Sequence, residues 1–105
     1  MPIHQTAHYQ VNASAVDKVK AAIAEFVDYV AASEPGSTMY TAWQQQDDPT
    51  RFVHLFEFAD EAAHQAHGGS GAVRRFEAVY GPVMTSREVT FTEYRGISNK
   101  IAIRL

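Results

Sequence analysis

At 105 residues, with 46% hydrophobic and 20% charged side chains and a formal charge of −3, the chain has the makeup of one globular domain. The acidic balance gives no basic footprint for nucleic acid, and no apolar run reaches the ~18 residues of a membrane span. The lack of cysteine excludes disulfides, thiolate nucleophiles and zinc–thiolate centres; no signal-peptide pattern follows Met1, so a cytoplasmic protein is expected.

The stretch from His4 to Val11 alternates as a strand does, with Ile3, Ala7, Tyr9 and Val11 as its apolar members. Asn12 and Ser14 offer helix caps, and Ser14-x-x-Asp17 resembles a capping box. Val16, Val19, Ile23, Phe26, Val27 and Val30 then recur at spacings of three and four, which predicts a helix with one apolar stripe. Pro35-Gly36 should end it, because proline cannot continue a helix and glycine tolerates the turn.

Ser37 to Gln46 reads as a second strand, with Tyr40 and Ala42 on one face and Met39, Thr41 and Trp43 on the other. Asp47-Asp48-Pro49-Thr50 is a turn by composition, so a hairpin leads into a third strand at Arg51 to Phe58. That strand is apolar on both faces: Phe52, Phe56 and Phe58 point one way and Val53 and Leu55 the other. One layer of helices covers only one face of a sheet, so the other face implies a partner, most simply a second copy of the chain. Asp60 caps a short helix carrying His64 and His67, and Gly68-Gly69 interrupts it. Ser70 caps a further helix with Val73, Phe76 and Tyr80 inward, stopped at Gly81-Pro82. Val83 to Tyr94 is the last strand expected. Residues 95–105 read as a tail in which Ile101, Ile103 and Leu105 alternate, suited to a sheet edge.

The order βαββαβ, with the second helix split, predicts an α+β, ferredoxin-like domain over residues 1–94 with a four-stranded antiparallel sheet and helices on one face. The bare sheet face would pack on its mate in a two-fold homodimer. An apolar hollow between helices and sheet would then suit a small molecule.

Several segments resemble the antibiotic biosynthesis monooxygenase family of the dimeric α/β-barrel superfamily. They are Glu34-Pro35-Gly36, Asp48-Pro49-x-Arg51-Phe52, the run Phe56-Glu57-Phe58-Ala-Asp60-Glu61-Ala62-x-x-x-Ala66-His67, and Ser70. The likeness spans roughly residues 3–94. Two features depart from the family pattern: Phe58 stands where tryptophan is common, and Gly71 to Arg74 lack a histidine that many members carry. The resemblance implies a cofactor-independent monooxygenase that oxidises an electron-rich aromatic, of quinol or anthrone type, with dioxygen. No cofactor and no metal are implied. Alternatives within the same fold are a non-catalytic small-ligand-binding or stress-related barrel, and a haem-binding or haem-degrading monooxygenase.

His67 is the leading catalytic candidate, since it falls at the family position and an imidazole exchanges protons near neutral pH. The bland alternative is a histidine interacting with the C-terminal end of its helix. His64, three residues earlier, gives a potential metal pair with no evident third ligand. Glu57 is either a proton relay or a structural acceptor paired with Arg51 or Arg87. His54 shares the Phe52/Phe56 face, where His4 or His8 of the first strand is expected to approach it. Trp43, Tyr40, Phe56, Phe76 and Tyr80 supply rings on which a flat substrate would stack.

Overall fold

The computed structural model describes residues 1–97, so the alternating segment Ile101–Leu105 lies outside the described residues. The sheet contains β1 (Ile3–Gln10), β2 (Ser37–Gln44), β3 (Arg51–Phe58) and β4 (Thr90–Tyr94) in the order β2-β3-β1-β4, every neighbour antiparallel. Helices α1 (Val16–Ser33), α2 (Glu61–Gly68) and α3 (Gly71–Tyr80) complete the α+β, ferredoxin-like domain.

The stripe on α1 works as its periodicity predicts. Val19, Ile23, Phe26 and Val30 are buried, against Tyr9, Phe52 and Phe76. Each such side chain contributes roughly 1.5–3 kcal/mol by leaving water. The expected capping box does not form. A 3-10 turn occupies Ala13–Ala15, held by the Ala15 N–H donating to the Asn12 carbonyl at 2.9 Å, and α1 begins only after Ser14 has been passed. Neither Asn12 nor Ala15 makes a side-chain cap. The two later caps do form: Asp60 accepts from the Ala63 N–H at 2.9 Å and Ser70 from the Val73 N–H at 3.2 Å.

Gly36 has a reason different from backbone freedom, for no glycine among the described residues has a positive φ. A Cβ there would lie 2.5 Å from Ala63 Cβ. The turn after α1 is pressed against α2, and its carbonyl accepts the Ala59 N–H at 2.8 Å.

The last strand is shorter than Val83–Tyr94. Gly81–Val83 forms a 3-10 turn, and the chain then bonds to the end of β1: Asn12 N–H to the Val83 carbonyl at 2.9 Å, Thr85 N–H to the Gln10 carbonyl at 2.8 Å. Those contacts use the backbone groups that a longer β4 would have put into the ladder.

Strand register sorts the side chains. On β3, Phe52, His54, Phe56 and Phe58 are buried beneath the helices, while Val53, Leu55 and Glu57 face away. The outward face also carries Met39, Trp43 and Tyr94, all exposed. Among the described residues no helix is long and apolar enough to cross a membrane.

Candidate functional site

Between the helices and the sheet lies a cavity of about 290 Å³. Its walls are mostly rings: Tyr9, Tyr40, Phe56, Phe58 and Phe76 on the inside, with Phe91 at the rim, alongside His54, His64, His67 and Tyr80. Phe91 sits on the helix side of the edge strand β4, level with Ala7, and stays largely exposed because, among the described residues, no further strand or helix covers that edge.

His67 enters the cavity wall from the last turn of α2 and meets Glu34 from the residue just after α1. Its Nδ1 lies 2.7 Å from Glu34 Oε1, with both side chains nearly buried. The same oxygen accepts the Ser37 hydroxyl at 2.9 Å. A carboxylate only accepts, so Nδ1 carries a hydrogen toward Glu34 and Nε2 is the ring nitrogen turned away from it. The ring is fixed sideways by Phe58, Phe26 and Tyr40, with centroids 5.0, 5.7 and 5.8 Å away. Asp60 sets where α2 starts, Pro35 where α1 stops, and the Gly36–Ala63 contact holds the two ends together. The His67 side chain therefore turns to Glu34, not to the open carbonyls at the end of its own helix.

His54 is 2% exposed and bonded on both ring nitrogens: Nε2 to the Tyr9 hydroxyl and Nδ1 to the Tyr40 hydroxyl, each at 2.8 Å. Burial pushes its pKa down to about 4, so the imidazole is neutral at pH 7. Burial likewise raises the phenols of Tyr9 and Tyr40 above the usual range; for Tyr9 the neighbouring Tyr40 and Tyr80 add to it, for Tyr40 the neighbouring Tyr80 and Glu34. Tyr80 is pushed up to about 12 by burial and then by Glu77.

Of the residues chosen from sequence, the fold brings Tyr40, His54, Phe56, His64, His67 and Tyr80 to this one cavity. Trp43 is not among them: it lies on the opposite sheet face and is 62% exposed. His4 and His8 pair in register with Glu57 and Val53, on that opposite face, so neither approaches His54. Glu57 also faces outward, where it meets His4 Nδ1 at 3.1 Å and the Thr38 hydroxyl at 2.7 Å. Arg51 pairs instead with Asp48 at 3.1 Å. His64 stacks on Phe58 and has Nδ1 3.5 Å from Glu61, near enough for charge contact but not aligned as a hydrogen bond. Among the described residues no group of three or more His, Cys, Asp or Glu is placed to hold a metal ion.

Two participants escape the sequence reading. Glu34 looks there like part of a helix stop, and only its place in Glu34-Pro35-Gly36 hinted at more. Tyr9 looks like an ordinary core residue of β1, and nothing in the chain announces its bond to His54.

Residues 2–79 match the family model described as Antibiotic biosynthesis monooxygenase. Solved structures agree on the fold. A protein from Bacteroides thetaiotaomicron, provisionally named an antibiotic biosynthesis monooxygenase, superposes with a TM-score of 0.87 at 14% identity, covering 98% of this chain and 96% of that one. A Caulobacter crescentus protein with the same provisional name gives 0.85 at 20% identity, over 92% and 91%. A Mycobacterium tuberculosis protein gives 0.83 at 19%, over 95% and 99%. No curated protein matches the sequence significantly.

Proposed function

The chain belongs to the antibiotic biosynthesis monooxygenase family, and on that premise we propose that it oxidises an electron-rich aromatic of quinol or anthrone type with dioxygen. The observation that carries the reading is His67 on the wall of an apolar, ring-lined cavity with the Glu34 carboxylate bonded behind it. A flat substrate stacks among Tyr40, Phe56 and Phe76. Nε2 of His67 takes a proton from the substrate, and the Glu34 carboxylate stabilises the imidazolium that results. The substrate anion is electron-rich enough to react with dioxygen. For an anthrone-type ligand a ring CH2 becomes C=O, and the second oxygen atom leaves as water.

Trp43, Met39 and Tyr94 enter this proposal in another role. Together with the outward-facing Val53 and Leu55 they form the apolar sheet face on which a second copy would pack as a homodimer.

Oxygen uptake with a menadiol-type naphthoquinol, corrected for autoxidation, tests the activity. The wild type should consume oxygen and His67→Ala should lower kcat by about 100-fold. Uptake unchanged in that variant removes His67 from the chemistry. A wild type that binds the quinol and consumes no oxygen would instead be a ligand-binding protein.

A further inference from the structure

The Tyr9–His54–Tyr40 chain has one hydroxyl hydrogen too many. A neutral imidazole has one N–H and one lone pair, so it accepts from one phenol and donates to the other. The phenol that accepts must aim its own hydrogen elsewhere. Among the described residues neither hydroxyl has a hydrogen-bond partner besides His54, and both tyrosines line the cavity. The surplus is the same for either tautomer; the tautomer decides only which of the two tyrosines holds it.

The geometry points to a subsite in which His54, bonded at 2.8 Å to each tyrosine, makes one of them present an O–H to an acceptor oxygen of the cavity's ligand, a carbonyl or a phenolate. Tyr9 and Tyr40 are binding residues here and His54 positions them. This rests on the aromatic-oxidation reading and sharpens it: the substrate carries a second oxygen besides the one that His67 deprotonates. Negative charge that spreads through the ring system to that oxygen then meets a donor already in place. Tyr40 touches both groups, its ring lying 5.7 Å from His54 and 5.8 Å from His67, so subsite and base border one cavity. Burial keeps His54 from charging at neutral pH, which would release a second hydrogen and blur the selection.

The probes are 1,4-naphthoquinone and naphthalene, which share a fused two-ring carbon skeleton and differ in the two carbonyl oxygens. No cysteine is present to form adducts with the quinone. Binding of each is measured by calorimetry to the wild type, Tyr9→Phe, Tyr40→Phe and the double variant. Either single variant retains one phenol that still accepts from His54 and donates onward, so quinone affinity should stay within about threefold. The double variant keeps no hydroxyl on His54, whose own N–H is buried, and quinone affinity should fall about tenfold with naphthalene affinity little changed. Should the double variant fail to fold, the infrared carbonyl stretch of quinone bound to the wild type serves instead, and it should lie below its value in cyclohexane. Failure of the wild type to bind the quinone, equal losses for both probes, or an unshifted carbonyl overturns the subsite. None of these readouts needs turnover, so oxygen uptake that persists without quinone discrimination sinks the subsite alone, and discrimination without uptake sinks only the oxygenase reading.

Discussion

Acid should unfold this protein through His54. In the unfolded chain the imidazole takes its proton near pH 6.5, and in the buried site only near 4. Between those values the unfolded state binds more protons, so stability falls as the pH falls through that window and levels off, for this group, below it. The gap corresponds to about 3 kcal/mol, a large share of the 5–15 kcal/mol typical of a domain. Urea unfolding followed by far-ultraviolet circular dichroism, at fixed protein concentration and at pH 7, 6, 5 and 4, separates this from other titrations when His54→Gln is run beside the wild type. A glutamine amide offers the two phenols a donor and an acceptor but no proton to gain. The variant should be less stable at pH 7, and its deficit should shrink by about 3 kcal/mol by pH 4. Parallel stability curves for the two proteins would refute the reasoning, since His54 would then be charging as easily folded as unfolded.

Three further outcomes follow from the same contacts. Glu34→Gln keeps an oxygen for His67 Nδ1–H but removes the charge that stabilises the imidazolium, so kcat for quinol oxidation should drop at least about tenfold; an unaltered kcat would count against the pair. Gly36→Ala drives a methyl into Ala63, whose Cβ would be 2.5 Å away, and should cost roughly 1–3 kcal/mol in urea unfolding; a neutral result would mean that the α1–α2 contact yields freely. Trp43→Glu places a charge on the bare apolar sheet face, and sedimentation should show the proposed dimer weakened by about 2 kcal/mol, roughly thirtyfold in Kd, with the cavity intact; an unchanged dimer would put the interface elsewhere.

Glu34 and His67 are 33 residues apart and become a pair only because one helix stops at Pro35 and another is capped at Asp60. Stop and cap were each plain in the sequence; their meeting was not. The element order was legible as well, since apolar periodicities of two and three-to-four come from burial on one side of a strand or helix and need no tertiary information. The caps at Asp60 and Ser70 were readable for the same local reason, whereas Ser14 misled because a 3-10 turn delayed the helix. Trp43 shows the limit from the other side. Its parity on β2 is legible from the alternation, yet it lies on the face opposite the cavity; an aromatic ring suits a cavity and an exposed sheet face equally by composition. So the sequence by itself determined the order of strands and helices and the inward faces, consequences of spacing along the chain, and it carried the segments by which the chain resembles its family. Only the tertiary structure decided which polar groups meet: the carboxylate behind His67 and the two phenols on His54. Hydrogen bonds between elements depend on strand register and helix packing to within a fraction of an ångström, and no pattern along one chain carries that precision.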